Sequence, residues 1–166
     1  MKKEKNKNKK EIVVVLDNIR STYNVGAIFR TADAAGVKKI YLAGITPVPE
    51  KNDKIKKVAL GAENFVLWEK ASQTFRVLEK LKKAGYFLIA LEQDPKAKNI
   101  FDLKKLSKEK IVLVLGQEVK GIAKNIKKRT DLILEIPMYG KKESLNVSVA
   151  FGIAVYYLRN LLYNKK

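Results

Sequence analysis

Short apolar runs alternate with segments of helical periodicity along most of this chain. Six runs of four to six residues, most of them rich in β-branched or aromatic side chains, are typical of strands. The predicted strands cover residues 12–16, 39–43, 64–67, 86–91, 111–115 and 132–136. Helical spacing predicts helices over 24–35, over 71–83, near Val119 and over 144–163, with Asn24 and Ser144 as the N-caps of the first and last.

Several of the predicted strands are continuously apolar, as expected for strands that are covered on both faces. Strands separated by helices predict an α/β fold, with a mainly parallel six-stranded sheet flanked by helices in one domain. In such sheets, ligands bind beyond the carboxyl ends of the strands. The segments to examine are therefore the predicted strand-end loops 17–24, 44–52, 92–98, 116–121 and 137–144.

The charge of the chain is strongly positive. Lysine and arginine number 35 and acidic residues 17, a net charge of +18 that favours an anionic partner, nucleic acid first. The first ten residues hold six lysines and one glutamate. We predict a disordered basic arm over residues 1–10, either simply solvated or also holding phosphates, and a folded domain over 11–166. No apolar stretch reaches the roughly 20 residues of a membrane span, so a cytoplasmic protein without membrane contact is expected.

Two residue types are missing from the whole chain. Without cysteine there are no disulfides and no thiolate ligands, and without histidine there are no imidazole metal sites and no Ser-His-Asp triad. No metal is therefore predicted. Catalysis near neutral pH would have to use carboxylates, lysine, arginine, tyrosine, backbone amides or a cofactor.

The first segment with candidate chemistry spans residues 16–30 and links a strand to a helix. It places four polar side chains around one turn: Asn18, Arg20, Asn24 and Arg30. The helix predicted over 24–35 is mainly apolar, and placing a guanidinium on it costs free energy unless the charge is paired. Arg30 is therefore either a functional residue or part of an ion pair with Asp33 or of an N-cap network.

The second segment, residues 115–122, begins with Gly116 directly after a buried strand. Glycine there lets a ligand approach the backbone closely. The alternative is an ordinary strand–turn–helix, with Glu118 in the first helical turn, where a carboxylate suits the helix dipole. Neither a dinucleotide fingerprint nor a phosphate-binding P-loop motif occurs in the chain.

The third segment, residues 136–158, breaks at Pro137 and Gly140 and continues into a helix that is too apolar for a free surface helix. One interpretation is a core helix that carries two satisfied polar residues, Asn146 and Ser148. The other is a cofactor loop followed by a dimer face.

Together, the three segments resemble the SpoU (TrmH) family of RNA ribose methyltransferases. The matching motifs are Asn-x5-Asn-x-Gly-x3-Arg from Asn18, Leu-Gly-x-Glu-x-x-Gly from Leu115, and Ile-Pro-Met-x-Gly-x3-Ser-Leu-Asn-Val-Ser from Ile136. The resemblance covers residue 12 to about residue 162. It implies a C-terminal deep trefoil knot, one of the rare exceptions to unknotted topology. It also implies S-adenosylmethionine as cofactor, a ribose 2′-hydroxyl of tRNA or rRNA as target, and a homodimer.

The resemblance also assigns roles to single residues. The catalytic set is Arg30, as base or as positioning group, with Asn24, Glu118, Ser144 and Asn146. Cofactor contacts fall on Gly116, Leu91, Ile136, Met138 and Leu145, and RNA contacts on Asn18 and Arg20. The chain departs from the family pattern at Gln117, at Val119–Lys120 and at Phe151. Two alternatives stay open: a base methyltransferase of the same knotted superfamily, and an RNA-binding protein without activity on this scaffold.

Overall fold

The computed structural model describes residues 10–163, so residues 1–9 of the predicted arm lie outside it. Within this range, seven strands form one sheet in the order β3-β2-β1-β6-β4-β7-β5, and all neighbouring strands are parallel. The strands are β1 (Glu11–Asp17), β2 (Lys39–Ala43), β3 (Leu67–Ala71), β4 (Phe87–Leu91), β5 (Lys98–Asn99), β6 (Lys110–Leu115) and β7 (Leu132–Glu135).

The predicted α/β class with a parallel sheet is confirmed, but the predicted count of six strands is wrong. The additional strand is β5, whose two polar residues leave no apolar run in the sequence. The strands β1, β4 and β6 contain continuous apolar runs, and all three are buried along almost their whole length.

Helices cover both faces of the sheet and explain this burial. Side chains of three helices share one hydrophobic cluster with the sheet, and side chains of the other two share the cluster on the opposite face. The first group comprises α1 (Thr22–Ala34), α2 (Asp53–Ala59) and α5 (Val147–Tyr163), and the second comprises α3 (Thr74–Lys83) and α4 (Lys124–Lys127). None of the helices in this range combines the length and the apolarity needed to cross a membrane.

The strand register sets the position of the loops. Leu16 of β1 and Leu91 of β4 both lie beside Leu115 of β6, and Leu91 also lies beside Leu134 of β7. The carboxyl ends of these four strands are therefore level. The loops that follow them leave the sheet at the same edge and can share one site.

The third predicted strand is displaced. A strand was predicted over 64–67, but β3 begins at Leu67, after a 3-10 turn at Ala62–Asn64. β3 is an edge strand, so it tolerates charged residues that break the apolar pattern. Its Glu69 accepts a hydrogen bond from Lys39 Nζ of β2 at 2.6 Å.

The predicted starts of the last three helices are also wrong. The helix predicted over 71–83 begins at Thr74, and the one predicted near Val119 is replaced by a tight turn with α4 further along. The long helix begins at Val147 rather than at Ser144. There the Asn146 side chain accepts hydrogen bonds from the Ser148 N–H at 2.9 Å and the Val149 N–H at 3.4 Å, which makes it the cap.

Candidate active site

A cavity of about 380 Å³ opens at the carboxyl ends of β4, β6 and β7. Its walls come from the loops that follow these three strands and from the start of α5, so the predicted position of the site beyond the strand ends agrees with the fold. Seven of the residues assigned from the family resemblance line it: Leu91, Gly116, Glu118, Ile136, Ser144, Leu145 and Asn146.

Gly116 brings two backbone segments together at the floor of this cavity. A Cβ atom at this position would lie 2.4 Å from the backbone N of Ile122 and 2.5 Å from the backbone C of Gly121. Real Cβ atoms do not approach so closely, so only glycine fits. The absence of a side chain here lets the 116–122 loop fold back tightly beside the cavity.

A chain of hydrogen bonds connects three predicted catalytic residues from distant parts of the sequence. The Asn24 Nδ2 group donates to Glu118 Oε1 at 3.0 Å, and the Asn146 Nδ2 group donates to Asn24 Oδ1 at 3.0 Å. Each amide thus has a fixed orientation, because its oxygen and its nitrogen face different partners. Asn24 lies outside the cavity wall and connects to it through Glu118 and Asn146.

Glu118 also holds the start of α1. Its carboxylate accepts hydrogen bonds from the backbone N–H groups of Arg20, at 3.2 Å, and Ser21, at 3.0 Å. The N-cap of α1 is Ser21, whose hydroxyl accepts from the Asn24 N–H at 3.2 Å, so the predicted capping role of Asn24 is wrong. The Asn24 side chain is thereby free to bridge Glu118 and Asn146.

Two opposing effects act on the pKa of Glu118. Partial burial raises this pKa, but hydrogen bonds from its own N–H, the Asn24 amide and the N–H groups of Ser21 and Arg20 together lower it below the usual value. The carboxylate is therefore ionised near neutral pH and already accepts several hydrogen bonds. This environment suits a group that positions Asn24 rather than one that takes up a proton.

Replacing this carboxylate should have a stability effect that depends on pH. Because the folded pKa is lowered, the stabilisation is complete above about pH 4.3, the ordinary glutamate pKa, and is lost as pH falls through the folded value. We expect Glu118→Gln to lower the free energy of unfolding by about 1 kcal/mol at neutral pH, as for a lost helix cap. Urea unfolding at neutral pH and near pH 3 should show a smaller deficit at the lower pH.

Glu50→Gln is the matched control, since Glu50 is exposed and forms no ion pair or hydrogen bond within the described part of the chain. Its effect should stay below about 0.5 kcal/mol at both pH values. A Glu118→Gln deficit that persists unchanged at acid pH would contradict an ionised Glu118 in the network.

Ser144 stands apart from this network. It lines the cavity and is exposed, and among residues 10–163 its hydroxyl forms no hydrogen bond. Leu145 beside it is 36% exposed. The Ser144 hydroxyl is therefore available to a ligand, whereas Asn24 and Glu118 are already fixed by protein contacts.

Arg30 does not belong to the cavity of its own chain. It is exposed on α1 and is not among the lining residues. Within the described residues, no ion pair joins it to Asp33, and the hydrogen bonds at the N-cap of α1 do not include it, so both structural alternatives for this arginine are wrong. Its guanidinium remains free for a partner outside this chain.

The two predicted RNA-contact residues differ in their surroundings. Asn18 has a left-handed φ of 58°, and its side chain accepts from the Ile45 N–H at 3.1 Å and donates to Asp17 Oδ1 at 3.0 Å. It therefore holds the turn after β1. Arg20 is exposed, and its side chain is not used in the contacts that fix this turn. Met138, predicted to contact a cofactor, is not part of the cavity wall.

Two site residues were missed by the sequence analysis. Glu92 accepts a hydrogen bond from the Ile122 N–H at 2.7 Å, and Gln93 Nε2 donates to the Ile136 carbonyl at 2.7 Å. Both line the cavity and connect the loop after β4 to the other two loops. Only their place directly after a predicted strand could have indicated them, since isolated polar residues have no periodicity.

The departures from the family pattern have local explanations in the fold. The Gln117 carbonyl accepts from the Gly121 N–H at 2.8 Å, and its side chain accepts from the Lys120 N–H at 3.3 Å, which closes the turn. Phe151 is fully buried in the core between α5 and the sheet.

Comparison with known proteins finds relatives of this chain among RNA methyltransferases. A tRNA (guanosine(18)-2′-O)-methyltransferase from Aquifex aeolicus is 33% identical over 151 residues, which cover 90% of this chain and 69% of that protein. A 23S rRNA (guanosine-2′-O-)-methyltransferase from Coxiella burnetii is 32% identical over 150 residues, 87% of this chain and 56% of that protein. An AdoMet-bound rRNA methyltransferase from Sinorhizobium meliloti has the same fold, with a TM-score of 0.84 at 28% identity over 93% of this chain and 57% of that one.

This chain spans between 56% and 69% of the length of the curated relatives that it matches. The family model described as SpoU rRNA Methylase matches residues 11–156, which include all three sequence motifs and every residue of the cavity wall. The chain therefore belongs to the SpoU rRNA methylase family.

Proposed function

We propose that this chain transfers the methyl group of S-adenosylmethionine to a ribose 2′-hydroxyl in tRNA or rRNA. The observation that carries this proposal is the convergence of the three motifs on one cavity, through Gly116 and the Glu118–Asn24–Asn146 network. The relatives named as tRNA and rRNA 2′-O-methyltransferases support the reaction, and the AdoMet-bound neighbour supports the cofactor.

The cavity fits such a cofactor in size and in chemistry. Its volume lies in the usual range for small-molecule sites, and its lining combines apolar side chains, which suit an adenine ring, with polar groups and the backbone at Gly116. Leu91, Gly116, Ile136 and Leu145 would hold the cofactor, and Met138 stays a predicted contact. When bound, the cofactor supplies a methyl group attached to a sulfonium. The thioether that remains after transfer is already a good leaving group.

The protein must therefore place the ribose hydroxyl in line and favour loss of its proton. The free Ser144 hydroxyl and the fixed Asn146 amide are polar groups of the cavity wall that can orient the ribose. A guanidinium holds its proton tightly and is a poor base. We assign Arg30 to holding the ribose and an adjacent phosphate through its planar fork of donors.

A second copy of the chain would bring Arg30 to a cavity. An apolar stripe is exposed along α5 and the loop just before it, with Leu145 of the loop at 36% and Val149, Ile153 and Tyr156 of α5 at 51%, 36% and 50%. α1, which carries Arg30, packs directly beside α5, since a Cβ on Gly152 would lie 3.8 Å from Thr31. A homodimer through these helices would cover the stripe and move Arg30 toward the partner's cavity.

Charges placed on the stripe should therefore break the dimer. We expect Val149→Glu combined with Ile153→Glu to give a folded monomer, because desolvating two carboxylates opposes association. The monomer should lose at least about tenfold in methyl transfer, because its cavity no longer receives Arg30 from a partner. Sedimentation velocity at micromolar concentration measures the assembly. Phe65→Glu, which charges a residue that is 76% exposed outside the stripe, should stay dimeric. A fully active wild-type monomer would remove the dimer from the proposal.

The knot, the domain boundaries and the location belong to the same proposal. The 116–122 and 136–146 loops pack around one cavity, and β7 lies between β4 and β5, which supports threading of the segment from about Leu115. We propose a knotted domain over 11–166 preceded by a basic arm, acting in the cytoplasm, where the proposed RNA substrates are found.

Methyl transfer from labelled S-adenosylmethionine to bulk tRNA and to rRNA tests the function directly. Label on the ribose of tRNA or rRNA is expected, and mapping of ribose methylation with and without the gene would identify the nucleotide. Label on a base would support the base methyltransferase instead. Binding of RNA without calorimetric binding of S-adenosylmethionine would support the inactive RNA-binding protein.

A further inference from the structure

A second large concavity lies at the opposite end of the sheet from the candidate active site. This groove measures about 1380 Å³ and lies at the amino ends of β1, β4 and β6, where the C-terminal end of α5 also reaches. We name it the amino-end groove and define it by five lysines in its lining: Lys10, Lys104, Lys105, Lys108 and Lys110.

The positive charge of the amino-end groove is compensated only in part, through the interaction of Lys110 with the Glu11 carboxylate. No ion pair involves any of the five lysines within residues 10–163, and the lining contains one carboxylate, Glu109. The nearby Glu11 carboxylate is already occupied by Lys38 and the Tyr86 hydroxyl. Several like charges held together with few counter-charges are unfavourable unless an anion binds them.

Aromatic rings lie beneath several of these lysines. Lys108 Nζ lies 5.5 Å from the centre of the Phe87 ring, and Lys110 Nζ lies 5.6 Å from the centre of the Tyr86 ring. Lys10 Nζ lies 5.3 Å from the centre of the Tyr163 ring, which is 46% exposed. Basic grooves with aromatic rings are typical of surfaces that follow a nucleic-acid strand.

We propose that the amino-end groove binds the phosphate backbone of RNA, as a contact surface separate from the active site. The groove is concave, which suits a strand better than a flat membrane surface. The sequence that leads into Lys10 at its rim carries five more lysines and one glutamate in residues 1–9, so the positive charge continues along the chain.

The distance between the two sites sets the class of substrate. Lys110 at the groove and Gly116 at the cavity are six residue steps apart along β6, roughly 20 Å of extended strand. An RNA that touches both must extend across the sheet, so the preferred substrate is longer than the target nucleotide and its immediate neighbours. This step rests on the proposed function, whereas the binding surface itself does not.

Binding of bulk bacterial tRNA by the full-length chain tests the groove. We expect Lys105→Ala with Lys108→Ala to weaken binding about tenfold near 0.1 M salt and to reduce the salt dependence of log Kd by about 1.5, the value for two lost phosphate contacts. If the proposed function holds, KM for tRNA rises while kcat and the affinity for S-adenosylmethionine stay unchanged, because neither lysine lines the cavity.

The control is Lys124→Ala with Lys128→Ala, which removes two exposed lysines at α4 and its C-cap, outside the groove and the cavity. It should change tRNA affinity by less than about threefold. Equal losses of tRNA affinity in the two double variants, or no loss in the Lys105→Ala, Lys108→Ala variant, would overturn the proposal. So would unchanged tRNA binding with weaker binding to phosphatidylglycerol vesicles. A chain without methyl transfer that still shows the selective tRNA loss would overturn the proposed function and keep the groove.

Discussion

Replacing Arg30 with alanine is expected to lower the rate of methyl transfer at least about 100-fold, or about 2.7 kcal/mol of transition-state stabilisation. The affinity for S-adenosylmethionine should stay unchanged, because Arg30 is exposed on α1 and does not line the cavity of its own chain. Single-turnover rates at saturating RNA measure the first effect, and calorimetry measures the second.

Arg30→Lys distinguishes the two roles of this residue. Lysine keeps the charge but lacks the planar fork that can hold a hydroxyl and a phosphate together. We expect the lysine variant to be nearly as slow as the alanine variant at saturating RNA. A lysine variant that recovers its rate there would show that Arg30 only anchors a phosphate. A near-normal rate for Arg30→Ala would end its catalytic assignment.

Mixed dimers test whether Arg30 acts on the partner's cavity. A subunit with Arg30→Ala keeps an intact cavity, and a subunit with Gly116→Ala keeps an intact Arg30. If Arg30 acts across the dimer, each heterodimer regains one complete site, and an equal mixture recovers about a quarter of wild-type activity. If Arg30 acts within its own chain, the mixture stays inactive.

The centre of the sheet could be predicted from the sequence because burial on both faces requires apolar residues at every position. β1 and β6 are continuous runs for this reason. The strands at the two edges of the sheet are not buried on both faces and lack this pattern. The edge strand β3 is half solvated and holds Glu69 and Lys70, while β5 is two polar residues whose place depends on pairing with β7. Neither leaves an apolar pattern in the sequence.

The candidate active site also has features that could be predicted from the sequence and features that could not. Gly116 and Ser144 could be placed near a cavity because they follow strands or precede the apolar helix. The capping pattern could not be predicted, since Ser21 and Asn146 take the cap positions and leave Asn24 to bridge two distant segments. That bridge depends on Glu118, 94 residues further along the chain. Such pairings are set by tertiary packing and have no local sequence signal.

The second large expected effect is the loss of cofactor affinity when Gly116 is replaced. Gly116→Ala should weaken S-adenosylmethionine binding at least about 100-fold, about 2.7 kcal/mol, and Gly116→Val should abolish it. The added Cβ would lie 2.4 Å from the Ile122 N atom, so the 116–122 backbone must move. That movement would also strain the hydrogen bond from the Ile122 N–H to Glu92. Calorimetric titration measures the affinity, and circular dichroism shows that the variants are folded.

Gly140→Ala is the matched control, because a Cβ there would have no neighbour within 4 Å and Gly140 has no left-handed backbone conformation. The same one-methyl change lies in the loop before α5, outside the cavity wall. Its affinity for S-adenosylmethionine should stay within about threefold of wild type, less than 1 kcal/mol. A Gly116→Ala variant with the same affinity as Gly140→Ala would place the cofactor elsewhere. The Glu118–Asn24–Asn146 network would then be a structural connection between α1 and α5 rather than part of an active site.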